Sequence, residues 1–92
     1  MNLNKKGASR TEKHYIVTAE WCVDGDDGSE VVGVYHSLSI AQTAFKLRVN
    51  ESERKEAEEL GYEVFEDTPM LFDAGIDGFY GTDHMTVQIV RA

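Results

Sequence analysis

The sequence has very few cysteines, which could cross-link a small fold, and no long apolar segment, which could enter a membrane. It contains one cysteine, Cys22, so no disulfide can form within the chain, whereas small secreted domains usually carry several. No apolar run approaches the roughly 18 residues of a membrane span, and residues 1–13 contain no apolar stretch typical of a signal peptide. We therefore expect a cytoplasmic protein without a membrane partner.

Basic residues are also scarce, and they are unevenly placed. Nine Lys and Arg stand against 17 Asp and Glu, which gives a formal net charge of −8. Residues 1–13 hold four of the basic residues and one acidic residue, so residues 14–92 hold five basic and 16 acidic ones. Such a negative body repels phosphate backbones. We expect no direct nucleic-acid binding, and any charged protein partner to be basic.

Proline and glycine are too few for a disordered composition. One Pro and eight Gly accompany 41% apolar residues, and 92 residues suffice for one modest core. We predict a flexible basic N-terminal tail over residues 1–13 and a single α+β domain over residues 14–92. The short tail could contact an acidic surface or remain solvated.

Alternating apolar and polar residues predict an N-terminal hairpin. From Tyr15 to Val23 the side chains at odd positions form one apolar face, which is typical of a strand buried on one side. Residues 24–29 are nearly all turn formers, and residues 30–36 alternate again, with Val32 and Val34 on one side and Val31 and Tyr35 on the other. The pattern predicts two antiparallel strands joined by a loop.

A helix is predicted over residues 38–60. Ser37 or Ser39 can cap its N-terminus, and Ser39 with Gln42 has the spacing of a capping box. Gly61 is well placed to end it. The apolar stripe thins after Asn50, so a break near that residue stays open.

Two further strands are predicted, over residues 62–66 and 84–91. Met85, Val87 and Ile89 are expected to face inward, and Pro69 confines its segment to an edge or a turn because it lacks an N–H. The order is then ββαββ, with one long helix packed on one face of an antiparallel sheet of about four strands. Residues 70–83 are read as a glycine-rich loop.

No catalytic, cofactor or metal motif stands out. The acidic turn at 24–29 does not match a calcium-binding loop, the three histidines lack the spacing of a structural zinc site, and Gly75, Gly78 and Gly81 do not lead from a strand into a helix as a phosphate loop does. An enzyme would have to use Cys22 with His36 or His84 and Asp83 as the orienting carboxylate. We predict no cofactor and no enzymatic activity, and keep that set as the least favoured alternative.

Two surfaces are candidates for contact with a protein partner. Apolar side chains in the 72–83 loop could supply interface energy, or could fold back over the sheet end, and glutamates on the helix could form a negative field, or only a solvated face. An exposed edge strand beside Pro69 could also pair two copies into a homodimer. The candidate partner-binding residues are Phe72, Ile76, Phe79, Tyr80, Glu51, Glu56 and Glu59.

Three short segments carry a resemblance. The run from Val34 into the Ser-Leu helix start, the acidic helix ending at residues 59–64, and the closing residues 83–89 resemble small uncharacterised proteins of bacterial phages and mobile elements. The resemblance implies the ββαββ layout and a phage context, and carries over no catalytic residue. The function predicted first is an acidic protein-interaction module. The alternative is a phage-type inhibitor or nucleic-acid mimic that occupies the basic channel of another protein.

Overall fold

The fold is a two-layer α+β arrangement in which one long helical segment packs against one face of a five-stranded antiparallel sheet. The computed structural model describes residues 13–78 and 81–92, with the side chains of 13–76 and 83–92. In chain order the elements are β1 (Tyr15–Val23), β2 (Asp26–Tyr35), α1 (Leu38–Arg48), a π-helical turn (Val49–Glu53), α2 (Arg54–Leu60), β3 (Glu63–Asp67), β4 (Leu71–Gly78) and β5 (Gly81–Arg91). Within the described ranges, no helix is both long enough and apolar enough to cross a membrane. The predicted tail lies outside the described residues except for Lys13.

The predicted α+β class and the single helical layer are confirmed, but the sheet has five strands in the order β2-β1-β5-β4-β3. The additional strand is β4, in the segment that we predicted as a loop, and that prediction is wrong. Gly75 of β4 pairs with His84 of β5, and a side chain at Gly75 would collide with the backbone of Asp83. The glycine that weakens the sequence pattern therefore permits the close approach of the two strands.

The first hairpin is tighter than the sequence pattern suggests. Val23 pairs directly with Asp26, so the connection is the two-residue turn Asp24-Gly25, with φ values of 52° and 82°. Positive φ at both positions is the type I′ geometry, which Asp-Gly favours and which matches the twist of paired strands. The turn formers from Asp26 to Ser29 continue the β2 ladder instead of forming the predicted loop.

The helical segment begins and ends close to the predicted residues. The Ser37 side chain accepts a hydrogen bond from the Ile40 N–H at 3.4 Å, so the cap is Ser37, and Ser39 is not the cap. Gly61 ends the segment with φ 74°, as predicted. The break left open near Asn50 is the π-helical turn, in which the Arg54 N–H bonds to the Val49 carbonyl.

The π-helical turn builds an ion pair into the helix–sheet interface. It brings Arg48 and Glu53, five residues apart, onto one side, where Arg48 Nε and Nη2 donate to the Glu53 carboxylate at 2.9 Å each. Arg48 Nη1 also reaches Glu30 Oε1 of β2 at 2.6 Å. The hydrogen bond with Glu53 raises the pKa of Arg48 above its ordinary value, against the opposing effect of burial. Glu53 is only 6% exposed, so this pair holds a carboxylate inside the fold.

The core lies between the helical segment and the sheet. We call the side of the sheet beneath the helix the covered face, and the inward residues predicted on β1 and β5 do lie there. The buried apolar residues are Val17, Ala19, Ala41, Phe45, Val49, Ala57, Phe72, Ala74, Met85, Val87 and Ile89.

Candidate functional site

The opposite side of the sheet, which we call the open face, has no second layer in the described part of the chain. Alternate residues of all five strands project there, because neighbours along a strand point to opposite sides. Thr86 of β5 donates from Oγ1 to Asp73 Oδ1 of β4 at 2.9 Å, which joins two side chains on this face. An uncovered sheet of this width leaves a broad surface available for contacts.

One end of the open face is apolar. Ile16 of β1 pairs with Val34 of β2 and with Val90 of β5, and the next row along includes Val31 and Leu71. An irregular register in β2 places Val31 and Val34, three residues apart, on the same face, which corrects our prediction that they point to opposite sides. Val31 is 61% and Val34 is 55% exposed. We call these residues the apolar zone: Ile16, Val31, Val34, Leu71 and Val90.

The other end of the open face is acidic. Glu20 of β1, Asp73 of β4 and Glu66 of β3 lie in one row across the sheet through Thr86. The next row, toward the hairpin turn, runs from Asp27 through Cys22, His84 and Gly75 to Glu63. No ion pair among the described side chains involves any of these five carboxylates, and all of them except the half-buried Asp73 are exposed. We call them the acidic zone: Glu20, Asp27, Glu63, Glu66 and Asp73.

The helical layer has the same charge gradient. α1 contains no carboxylate, whereas the segment after Asn50 contains five glutamates. The segment starts after the end of β2, beside the apolar zone, and ends before β3, beside the acidic zone. Negative charge therefore gathers at one end of the molecule, around the β1–β2 turn, and is not spread evenly.

Tyr62, just after the helix, lies among carboxylates at this acidic end. Its hydroxyl donates to Asp83 Oδ2 at 3.5 Å, and the same oxygen accepts the Asp24 N–H at 3.3 Å. Burial of the phenol, and then the charges of Asp83 and Asp24, raise the pKa of Tyr62 above its usual value. Phenolate would add another negative charge to a site that already holds several.

An alkaline titration tests this arrangement. The chain has four tyrosines, and we expect the Tyr62 phenol to ionise above the usual range of a tyrosine, because its folded pKa is raised. Its contribution to stability is complete below the unfolded pKa of about 10 and is lost as the pH rises through the folded value. Ultraviolet absorbance should show a late step that Tyr62→Phe removes and Asp83→Asn moves to lower pH. A Tyr15→Phe control that removes the same step would contradict the assignment.

The predicted apolar and aromatic contact residues of the 72–83 segment differ in exposure. Phe72 is completely buried on the covered face, opposite Val87, and Arg54 Cζ lies 5.2 Å from its ring centroid. The placement of Phe72 on a loop surface is therefore wrong, because the phase of β4 turns its side chain inward. Ile76 is exposed, as a contact residue requires. Phe79 and Tyr80 lie outside the described residues.

The predicted helix glutamates are exposed but do not join the open face. Glu51, Glu56 and Glu59 all lie on the helical layer, on the other side of the sheet from Glu63 and Glu66. Asp67 points to the covered face and is held by Arg54, with Nη1–Oδ2 and Nη2–Oδ1 distances of 2.7 and 3.0 Å. The hydrogen bond with Arg54 lowers the pKa of Asp67 below its usual value.

The residues considered for an enzyme are brought together in part. Cys22 and His84 are direct cross-strand partners on the open face. Asp83 precedes His84 in β5 and projects to the opposite side, toward Tyr62, so it does not orient the imidazole. Among the described hydrogen bonds none joins Cys22 to His84, and no group of three or more potential metal ligands occurs among the described residues. His36 lies at the far end of the sheet.

Sequence reasoning missed the partner of His36. The ring centroids of His14 and His36 are 4.7 Å apart, at the start of β1 and just past the end of β2. The Asp24-Gly25 turn supplied only part of the signal, because the register of a two-residue type I′ connection would pair Tyr15 with Val34. The irregularity of β2 opposite Val17 and Thr18 shifts this register by one residue, which pairs Tyr15 with Tyr35 and brings the two histidines together. A longer loop, as we predicted, leaves that register open.

The strand beside Pro69 is an edge strand. β3 lies at the rim of the sheet, and all five of its residues are exposed. Its charged residues and its irregular register are features that discourage strand pairing between copies. Pairing of two copies through this edge stays a prediction.

Comparisons with protein-family models, with curated proteins and with solved structures found no match for this chain. No relative therefore assigns a function to the open face or bears on the resemblance to phage proteins. The chemistry of the open face is therefore the basis for a functional proposal.

Proposed function

We propose that the chain is a non-enzymatic acidic interaction module that binds a basic protein partner through the open face. The observation that supports this proposal is the composition of that face, where an apolar zone adjoins an acidic zone on an uncovered sheet. Protein interfaces commonly combine an apolar centre with polar and charged surroundings. The occupant that fits is a partner surface with apolar side chains next to Lys and Arg.

The apolar zone supplies the part of the contact that gains from desolvation. Val31 and Val34 are more than half exposed in the free chain, and Ile16 between the strands is half-buried. Contiguous exposed aliphatic side chains are a feature of protein contact sites, whereas scattered ones need no explanation. Here the exposed Val34 and Val90 flank the half-buried Ile16, and the three form a continuous row across β2, β1 and β5.

The acidic zone supplies orientation and selectivity. Five carboxylates within two rows of the sheet attract a basic surface and repel an acidic one, which raises the association rate and restricts the choice of partner. Because the apolar zone lies toward one end, a partner with basic and apolar regions side by side can dock in one direction only.

The nucleic-acid mimic is the second candidate, and one observation favours it. Asp24, Asp83 and Glu56 surround Tyr62 at the acidic end, which extends the negative charge beyond the open face to the helix. A phage-type inhibitor that fills a basic nucleic-acid channel would use this whole end of the molecule and would not need the apolar zone. A Cys22–His84 enzyme remains the third candidate on the basis of their cross-strand pairing alone.

Matched pairs of double variants separate the first two candidates. Val31→Ser with Val34→Ser removes two aliphatic side chains from the open face, and Ile40→Ser with Leu47→Ser removes two of similar exposure, 57% and 54%, from α1. Glu20→Gln with Glu66→Gln lowers the charge of the open face, and Glu51→Gln with Glu59→Gln lowers that of the helix by the same amount. Each variant serves as bait in a source-cell extract, and calorimetry with the purified captured protein gives the affinity.

We expect both open-face variants to lose affinity by at least about tenfold, a change of 1.4 kcal/mol, and both helix variants to bind as the unchanged chain does. Binding should also weaken with added salt. Equal losses from the two glutamine pairs, with no effect of either serine pair, would support the nucleic-acid mimic instead. If no captured protein discriminates the open-face variants from their controls, the proposed function is wrong.

A further inference from the structure

His14 and His36 form a side-chain pair that the proposed function does not use. They lie at the end of the β1–β2 hairpin that is remote from the Asp24-Gly25 turn, one position beyond the Tyr15–Tyr35 pair. Their ring centroids are 4.7 Å apart and the ring planes are inclined by 55°. His14 is half-buried and His36 is exposed. The backbone carbonyl of His14 accepts the Ala92 N–H at 2.9 Å, which fixes the first of the two residues to the sheet.

This separation fits two imidazoles that share one metal ion. Two imidazole nitrogens, each about 2.0–2.1 Å from one ion in tetrahedral geometry, hold the ring centroids roughly 5 Å apart. The inclined planes also allow the nitrogen edges of both rings to converge, which parallel stacking would prevent. Imidazole is a ligand that suits Zn²⁺, Ni²⁺ and Cu²⁺, whereas Mg²⁺ and Ca²⁺ prefer oxygen.

The surroundings fit a site that is open to solvent. Among the described residues, the pair has no third His, Cys, Asp or Glu close enough to complete a cluster. Water or a ligand from another molecule would therefore fill the remaining coordination positions, as in metal sites that exchange ligands. The carboxylates of the sheet lie toward the other end, so a cation here would be selected by nitrogen ligands and not by the general negative charge.

We propose that His14 and His36 are a two-imidazole site for a borderline divalent transition-metal ion such as Zn²⁺, Ni²⁺ or Cu²⁺. The bound ion ties the start of β1 to the end of β2, so it stabilises the hairpin at the end that no turn closes. It lies in line with the apolar zone, beyond the row of Val34, Ile16 and Val90. This inference is independent of the proposed partner binding, because the ion needs only the two histidines.

The chain supplies its own control, since it contains three histidines and the third, His84, lies at the opposite end of the sheet. Calorimetric titration of the full chain with ZnCl₂ at neutral pH compares the unchanged protein with His14→Ala, His36→Ala and His84→Ala. We expect a single ion per chain, affinity weakened at least about tenfold by either of the first two substitutions, and no change with the third. The melting temperature should rise with Zn²⁺ in the unchanged chain and in His84→Ala only. Excess Mg²⁺ should not compete.

Equal Zn²⁺ affinity in all four proteins would assign the binding to surface carboxylates and overturn the inference, as would a loss confined to His84→Ala. Melting curves recorded without metal establish that each variant is folded. If His14→Ala or His36→Ala does not fold, nuclear magnetic resonance of the unchanged chain decides. Substoichiometric Ni²⁺ should broaden the imidazole C–H signals of His14 and His36 selectively, and equal broadening of His84 would contradict the site.

Discussion

Phe72→Ala is expected to lower the free energy of unfolding by about 3–5 kcal/mol, the usual cost of truncating a fully buried aromatic side chain. Phe72 is 0% exposed, packs within the core cluster and has Arg54 above its ring. Truncation leaves a cavity between β4 and the helical layer and removes the cation–π contact. Chemical denaturation followed by circular dichroism measures the change.

The matched control is Phe65→Ala in the edge strand β3, where the side chain is half exposed and the expected loss is below about 1 kcal/mol. Phe72→Leu keeps most of the volume and should cost less than about 1.5 kcal/mol, so it gives a graded measurement even if the alanine variant does not fold. A folded Phe72→Ala variant that is as stable as the unchanged chain would show that Phe72 is a surface residue.

Arg48→Met is the second large expected loss, about 3 kcal/mol, because it leaves the Glu53 carboxylate buried without its partner. Arg48 makes a bidentate contact with Glu53 and also reaches Glu30, so one substitution removes the cation that serves both carboxylates. Urea denaturation of the variant, at neutral pH, gives the change in stability.

The double variant Arg48→Met with Glu53→Met separates an unpaired charge from a simple loss of packing. A buried ion pair replaced by apolar side chains of similar volume is often as stable as before, so we expect the double variant to regain most of the loss. The control is Asp67→Asn, which weakens the exposed Arg54–Asp67 pair and should cost at most about 1 kcal/mol. If Arg48→Met costs no more than Asp67→Asn, or the double variant is worse than the single one, Glu53 is not held as the structure indicates.

Local patterns in the sequence were sufficient for the elements whose structure depends on near neighbours. Alternation placed Val17 and Ala19 of β1 on the buried side, and both are completely buried. Gly61 was identified as the helix end because a left-handed residue is needed there and glycine adopts it readily. The weakening of the apolar stripe after Asn50 corresponds to the π-helical turn, although the pattern could not distinguish that turn from a new helix start.

The failures concern pairing between residues that are distant in the sequence. β4 was missed because Gly75 and the aspartates around it have low strand propensity, and only the ladder with β5 stabilises them as a strand. Phe72 was misplaced for the same reason, since a side chain in an unrecognised strand has no predictable inward phase. The open face, the Cys22–His84 pair and the His14–His36 pair all depend on strand register, which no single segment contains.

The strand order has a consequence for how the protein is made. β1, near the start of the chain, is inserted between β2 and the last strand, β5, and the ladder joins Tyr15 to Arg91. During synthesis the first hairpin can form early, but the edge of β1 that pairs with β5 stays unpaired until β5 has emerged from the ribosome. Contacts between residues so distant in sequence slow folding relative to helical proteins of equal size. The sheet is therefore complete only after β5, its central strand, has been synthesised.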